Sequence, residues 1–342
     1  MTYHRKLVAG ILAALVVFTF AFCLSAGQYD LSFVQVAAWF CHQLGLPVLE
    51  DVQISAQQEA VLMFIRSPRT LVGFMVGAGL AASGTILQGL FSNPLADPGI
   101  IGVSSGATVG AVLAITLGVN AVNMFAMPAF AFVGAIAAVL ITIGLASRNG
   151  RIPVLTLLLS GVVVGMLLGA ITAAMLVVMD EYKLQQYLFW TVGSLDYRRW
   201  EHVLMGIGPS TLGIGIMLLV ARQLNLLALG EAEAKAVGMP VGRYRLILLL
   251  VSAMTTATSV CISGSIGFVG LIIPHMMRML VGPNHKYLLP ASIVAGGVFL
   301  LFCDSLGRVL IEKHEVNVGI MTAFLGTPYF LYLLRKNSNL DK

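Results

Sequence analysis

Residues 221–245 read ARQLNLLALGEAEAKAVGMPVGRYR and form a polar island between two long apolar runs. Inside the island, Gly230 precedes Glu231, an acidic residue that favours a helix N-terminus, and Lys235 lies near the other end. Gly238 suits the position that follows a helix C-terminus. The island therefore predicts one short helix, flanked by polar residues, between two apolar helices.

The predicted short helix has a thin surface, because three of its side chains are alanines (Ala232, Ala234 and Ala236). A thin, rigid helix of mixed charge between two membrane spans is suited to transmit force to a partner. The alternative is an ordinary solvated connection, which is the usual role of such a loop. The rest of the chain has to decide between these two interpretations.

The composition is that of a membrane protein. Of 342 residues, 58% are hydrophobic and only 10% are charged, and apolar runs of about 20 residues predict transmembrane helices. The net charge of +5 is small and dispersed, so it does not indicate nucleic-acid binding. The four cysteines lie far apart, form no zinc-binding spacing and are interpreted as apolar filler.

Ten apolar segments predict an all-α polytopic protein in which residues 1–342 form one transmembrane domain. The predicted spans are 7–24, 70–90, 100–117, 124–146, 154–179, 203–220, 246–262, 263–281, 288–306 and 318–334. Residues 264–275 are rich in glycine and end next to Pro274, so we expect a short broken or re-entrant helix there. Residues 33–49 are interpreted as an amphipathic segment on the outer surface; if they crossed the membrane, every later orientation would reverse.

Two glycine stripes of four-residue period predict close helix–helix contacts in the third and fifth spans. Their members are Gly102, Gly106 and Gly110, and Gly161, Gly165 and Gly169.

Charge decides the orientation. Ten spans place both termini on one side, and the loops of that side carry most of the basic residues, whereas most acidic residues fall on the other side. By the positive-inside rule both termini and the island are cytoplasmic. Arg66, Arg69 and Arg308 then lie at the outer face.

The sequence carries no enzyme motif that we recognise. There is no GxxxxGK[ST] phosphate loop and no HExxH. Ionisable residues are scarce in the predicted spans, where Asp304 and His275 are the main candidates and both lie near span ends. Asp304 is interpreted as an interface carboxylate. A proton-coupled carrier usually keeps such groups in mid-membrane, so energy supplied from outside the chain is favoured.

Five sequence blocks together resemble the permease subunits of ATP-binding-cassette (ABC) importers for iron–siderophore complexes, haem and cobalamin, the FecCD-type family. The blocks are RSPRTL at 66–71, GAGLAASGTILQGLFSNPLADPGIIGVSSGA at 77–107, LLALGEAEAKAVGMP at 226–240, GSIGFVGLIIPHMMRMLVGPNHKYLLPAS at 264–292 and VGIMTAFLGTPYFLYLL at 318–334. Many relatives carry Leu-Pro after the glutamate before the last span, where this chain has Val316 and Asn317 after Glu315.

The resemblance implies a homodimer, or a heterodimer with a close relative, in the cytoplasmic (inner) membrane. It further implies two cytoplasmic ATPase subunits, which bind ATP and magnesium, and a substrate-binding protein outside. No cofactor is expected in this chain itself. Ferric siderophore is the first expectation for the cargo, haem the second and cobalamin the third. A secondary transporter with inverted repeats and a channel are the alternatives.

The resemblance also implies roles for individual residues. ATPase coupling is expected at Gly230, Glu231, Ala234, Ala236 and Gly238; docking of the binding protein at Arg66, Arg69 and Arg308; and a cytoplasmic gate at Asn93 and Leu95.

Overall fold

The computed structural model of the protein describes residues 2–147, 152–311 and 314–338, and these residues are almost entirely helical. The α-helices are α1 (Thr2–Ser25), α2 (Phe33–Gln43), α3 (Ala56–Ala60), α4 (Ser67–Leu90), α5 (Val103–Thr116), α6 (Val119–Val122), α7 (Ala126–Ala146), α8 (Val154–Val177), α9 (Glu181–Val192), α10 (Trp200–Leu219), α11 (Ala221–Leu227), α12 (Glu231–Ala236), α13 (Val241–Ser263), α14 (Val269–Val281), α15 (His285–Val309) and α16 (Val318–Ser338). A π-helix covers Val61–Arg66 and a 3-10 helix covers Pro98–Ile101. The β pairing within the described ranges is one isolated bridge between Ile311 and His314.

Every predicted span contains one of these helices, so the all-helical architecture is confirmed. Among the described residues, seven helices are long and apolar enough to cross a membrane (His4–Ser25, Ala56–Leu90, Ala126–Ala146, Val154–Val177, Trp200–Leu219, Val241–Ser263 and His285–Val309). Three further apolar helices are shorter (Val103–Thr116, Val269–Val281 and Val318–Leu331).

The predicted start of the second span at residue 70 is wrong. The helix runs without interruption from Ala56 to Leu90 through the π-helical turn Val61–Arg66. Arg66 and Arg69 were read as residues that precede the span, but both are buried inside the structure. Charged residues mark the end of a span only when they face water, and these two have partners within the chain instead.

Helix α2 occupies the segment predicted to lie on the outer surface. It begins with a capping box, in which Ser32 accepts a hydrogen bond from the Gln35 backbone and Gln35 accepts one from the Ser32 backbone. Its 11 residues extend about 16 Å at 1.5 Å per residue. This is about half of the hydrocarbon thickness of a bilayer, roughly 30 Å, so α2 does not span the membrane.

The break near residues 264–275 lies earlier than predicted. Helix α13 ends at Ser263, Gly264 follows at φ +75°, and Phe268 precedes α14 at φ +69°. Pro274 lies inside α14 rather than at its end. A proline cannot donate to the carbonyl four residues earlier, and here the Gln88 side chain donates to that carbonyl, Gly270 O, at 3.4 Å. The protein therefore supplies from α4 the hydrogen bond that the proline removes.

Helix α4 lies at the centre of the protein and packs against α10, α13, α14 and α15. Its most apolar stretch is 83% buried, whereas the corresponding stretch of α8 is 17% buried. Helices α4 and α15 approach each other closely, and a Cβ on Gly77 would collide with the carbonyl oxygen of Gly296. A second group forms around α5, which packs against α7 and α8.

The loops collect at two ends, as the charge pattern predicted. At one end Arg5 donates to Val281 O (3.1 Å) and Asn225 to Asn284 (3.0 Å). At the other end Arg69 meets Asp196 and Asp304 at 2.8 Å each. We call these the inner and the outer end. That the inner end faces the cytoplasm stays a prediction.

Candidate functional site

The polar island folds as predicted into a short helix at the inner end. Helix α12 covers Glu231–Ala236, with Gly230 before it at φ +127° and Gly238 after it at φ +80°. A residue other than glycine would be strained at both positions. The two glycines therefore set where the helix begins and ends, which is what the sequence pattern indicated.

Glu231 ties this helix to the body of the protein. Its carboxylate lies 2.6 Å from Lys235 Nζ and 3.0 Å from Arg245 Nη2, and Arg245 also donates to Ile152 O at 2.8 Å. The hydrogen bonds from Lys235 and then from Arg245 lower the pKa of Glu231. Arg245 is a site residue that sequence reasoning missed, because its partners are Glu231, 14 residues earlier in the island, and Ile152 in another segment.

The two faces of α12 differ. Ala234 is 1% exposed and belongs to the apolar core, while Ala236 is exposed. The expectation that Ala234 meets the ATPase subunit is therefore corrected, because its methyl group points into this chain. Two large apolar side chains next to the helix are open to solvent, Leu229 at 69% and Val237 at 67%. Unlike Ala234, these two residues are available to a partner.

The predicted gate residues lie in an exposed turn that follows α4. The Asn93 side chain accepts a hydrogen bond from the Leu95 backbone at 2.9 Å, and Leu95 is 40% exposed. Ala96 is 1% exposed, and Asp97, whose pKa is raised by burial, accepts from Gly99 N at 2.7 Å. The base of the turn is therefore fixed, and its tip projects from the protein.

The first glycine stripe is a contact between helices. A Cβ on Gly106 would collide with Gly134 O of α7, and one on Gly110 with Phe130 O. Gly102 has a different role, because it precedes α5 at φ +88°.

The second stripe divides along α8. Gly161 packs on the carbonyl oxygen of Ile100, whereas Gly165 approaches only Ser105 Oγ, at 3.5 Å from its would-be Cβ. Gly169 meets no atom of the described residues within 4 Å. The expectation that all three face another helix therefore holds within this chain for Gly161 and, at van der Waals distance from α5, for Gly165, whereas Gly169 faces away from the other described helices.

At the outer end, Asp304 lies at the centre of a buried charge network. It is 2% exposed and accepts from Arg69 Nη2 at Oδ1 (2.8 Å) and from Arg69 Nε at Oδ2 (3.1 Å), while Arg308 Nε lies 3.2 Å from Oδ2. Arg69 also pairs with Asp196 at 2.8 Å and Glu315 at 2.7 Å. Asp304 was read as an interface carboxylate, but it bridges two guanidinium groups.

Arg66 and Arg308 have their donors occupied by backbone carbonyls. Arg66 donates to Leu24 O at 2.7 Å and Ser25 O at 2.8 Å, and Arg308 donates to Cys23 O at 3.0 Å. Arg66, Arg69 and Arg308 are 4%, 8% and 5% exposed. The expectation that they stand open to a partner outside is therefore corrected, because each guanidinium binds groups of its own chain.

Comparison with known proteins gives a consistent result. Residues 15–336 match the FecCD transport family. The chain is 44% identical over 293 residues to the cobalamin import system permease protein BtuC of Halobacterium salinarum, covering 86% of this chain and 76% of the relative. It is 37% identical to the molybdate import system permease protein MolB of Haemophilus influenzae, covering 97% and 96%.

A solved structure supports the same conclusion. A metal-chelate type ABC transporter in an inward-facing conformation superposes with a TM-score of 0.85 at 36% identity, covering 97% of this chain and 99% of that one. The chain therefore belongs to the FecCD transport family, the multi-pass permease subunits of ABC importers.

Proposed function

We propose that this chain forms the path of an importer for a metal chelate in the cytoplasmic membrane. Family membership removes the secondary-transporter and channel alternatives. Relatives are named for the import of cobalamin, hemin and Fe(3+)-citrate, which are bulky metal complexes. Ferric siderophore remains our first expectation for the cargo, and the substrate-binding protein outside would select it.

The observation that carries this proposal is the form of the polar island. Helix α12 is held to the body by Glu231 and Arg245, yet it exposes Ala236 to solvent, and Leu229 and Val237 are exposed beside it. Exposed apolar side chains on a rigid, charged support are typical of a surface that binds another protein. Two separate ATPase subunits, which would bind ATP and magnesium, fit this surface, and this chain then needs no ATPase site of its own.

Helix α8 supports a second copy of the permease in the complex. It is the least buried of the long apolar helices among the described residues, and it carries Gly169 on an open face. Small residues on a membrane helix permit close approach of another helix. We propose that a second permease subunit covers this face and that the cargo passes between the two copies.

The binding protein would dock at the outer end. Arg66, Arg69 and Arg308 could act as docking residues only by exchanging their internal partners for carboxylates of the binding protein. Their present contacts instead support a rigid base beneath the docking surface.

The test is uptake by proteoliposomes that contain the permease, its ATPase and its binding protein. Ferric siderophore, hemin and cobalamin are offered in turn, with ATP or a non-hydrolysable analogue inside. We expect accumulation of one chelate with ATP only. Uptake that follows a pH gradient without the ATPase would contradict the proposal.

A further inference from the structure

The exposed side of helix α2 carries an apolar stripe that consists of Phe33, Ala37, Phe40 and Leu44. All four residues are exposed, Phe33 at 53% and Leu44 at 70%, and Leu44 caps the helix with helical backbone angles. Their spacing of four, three and four residues places them on one side of a helix. Apolar surface of this extent is typical of a contact with a partner or with the membrane.

The buried side of α2 fixes where the helix lies. Val36 and Trp39 are buried in one cluster with Leu24, next to the end of α1, and with Leu62 of the π-helix. The apolar part of α1, His4–Ser25, has 22 residues, which extend about 33 Å at 1.5 Å per residue. This length matches the hydrocarbon thickness of a bilayer, roughly 30 Å. Leu24 therefore lies at the outer boundary of the hydrocarbon, and α2, which packs against it, lies at that boundary too.

The π-helix gives a second marker of the same level. Trp200, the first residue of α10, donates its indole N–H to Met63 O at 2.9 Å. Tryptophan is enriched where membrane helices meet the interface with water. Phe64 and Ile65 of the same π-helix are exposed, so apolar side chains face outward on both elements that meet at Leu62. The end of α1 and Trp200 therefore place α2 at the interface independently of each other.

The composition of the segment decides what covers the stripe. Residues 31–49 contain no Asp, Glu, Lys or Arg, and exposed apolar side chains continue after α2 at Leu46 and Val48. A soluble protein that docks and leaves again is steered and selected by charged and polar groups, and the stripe offers none. A second permease copy is proposed at α8, which packs against α5 and α7, whereas α2 packs against α1. Lipid fits the stripe, because acyl chains require only apolar surface.

We infer that α2 is an in-plane anchor whose apolar stripe inserts among the acyl chains of the leaflet at the outer end. An amphipathic helix of this kind is buried about 5–10 Å into the boundary between headgroups and acyl chains. Its second side normally faces water, and here that side contacts α1 and the π-helix instead. Arg66 of the π-helix donates to the carbonyl oxygens of Leu24 and Ser25. Because the π-helix continues into α4, the anchor fixes the depth of α4 in the bilayer.

The test measures the depth of a spin label on the stripe, with the full chain in phosphatidylcholine nanodiscs. Cys41 is replaced by serine, and the other three cysteines stay because they are buried. Single cysteines are then introduced at Ala37 on the stripe, at Leu15 on the exposed side of α1, and at Asp51 in the exposed loop after the stripe. Power-saturation spectra report collisions with oxygen, which partitions into lipid, and with a water-soluble nickel chelate.

We expect the Ala37 label to lie about 5–10 Å below the headgroup boundary. It should collide more with oxygen and less with nickel than the Asp51 label, and the Leu15 label gives the value for the lipid interior. Nickel access equal to that of the Asp51 label overturns the inference, whether or not the binding protein then covers the site. Spin–spin broadening between Ala37 labels of two chains would assign the stripe to a second copy and overturn it as well.

A second variant tests whether the apolar side holds the helix in the membrane. Phe40→Glu places a charge on the stripe and leaves Val36 and Trp39 in place, so it should raise nickel access of the Ala37 label to that of the Asp51 label. Phe40→Leu is the matched control and should leave the depth of the label unchanged. Equal depth in the two variants overturns the inference. None of these measurements requires ATP, cargo or another subunit, so the proposed function is tested separately.

Discussion

The substitution Asp304→Asn tests whether the outer network holds the protein together. Asp304 accepts from Arg69 and lies 3.2 Å from Arg308, and it is almost completely buried. Asparagine keeps the volume and one oxygen but removes the charge, and it turns an N–H group toward a guanidinium. The perturbation is therefore electrostatic with little change in packing.

The expected loss of unfolding free energy follows from the partners that Arg69 and Arg308 keep in the variant. Breaking a buried ion pair by removing one partner costs about 3–5 kcal/mol, since the other charge stays buried. Arg69 retains Asp196 and Glu315, whereas among the described residues Arg308 retains the carbonyl oxygens of Ala26 and Cys23 and the Ser305 hydroxyl. We therefore expect the lower end, about 3 kcal/mol, which is roughly a 100-fold change in the ratio of folded to unfolded protein.

The assay is reversible unfolding of the purified permease in mixed micelles, followed by tryptophan fluorescence. Asp51→Asn, at an exposed position on the same end, is the control and should stay within about 0.5 kcal/mol of the parent. The double variant Asp304→Leu/Arg308→Met should lose less unfolding free energy than the sum of the losses in Asp304→Leu and Arg308→Met, by about 1 kcal/mol or more. If Asp304→Asn unfolds like the parent, the bridging carboxylate does not stabilise the fold and the reasoning is refuted.

Three further predictions concern the inner end and the glycine contacts. Ala236→Trp should abolish ATP-driven uptake with normal amounts of folded protein, whereas Ala234→Trp should lower the amount of folded protein, because overpacking the core costs about 1–3 kcal/mol. Size-exclusion profiles and uptake assays distinguish the two effects, and full uptake by Ala236→Trp would contradict ATPase coupling. Gly110→Leu should prevent folding while Gly169→Leu leaves the monomer intact, which size-exclusion yield measures; equal yields would contradict the close contact at Gly110. Glu231→Gln should speed hydrogen exchange across α12 at neutral pH. The lowered pKa of Glu231 means that its contribution is present above the unfolded pKa and lost as pH falls through the lower folded pKa, so parent and variant should converge as pH falls through that value; equal exchange at pH 7 would contradict the role of Glu231 in holding α12.

The features that sequence predicts well are those that depend on neighbours in the chain. Gly230 and Gly238 lie within one turn of the ends of α12, so local signals place that helix correctly. The ten apolar segments are visible for the same reason, because burial in lipid requires only length and hydrophobicity.

The features that sequence did not predict depend on partners far away along the chain. Arg69 is 235 residues from Asp304, and no local pattern indicates that the two side chains meet. Two arginines beside a proline were therefore taken as the start of a span, whereas α4 continues back to the π-helix and α3. Likewise the orientation of Ala234 depends on the packing of α12, which alternating alanines do not specify.

The contacts also indicate which parts of the protein can move during transport. Helices α4 and α15 are joined by the Arg69–Asp304 ion pair at the outer end and by backbone contact between Gly77 and Gly296 in the middle. A pair fixed at two levels moves as one body, because sliding would break a buried ion pair and force two backbones together. If a second permease subunit covers α8 as proposed, opening at the inner end would then move the α4–α15 body as one unit against that subunit.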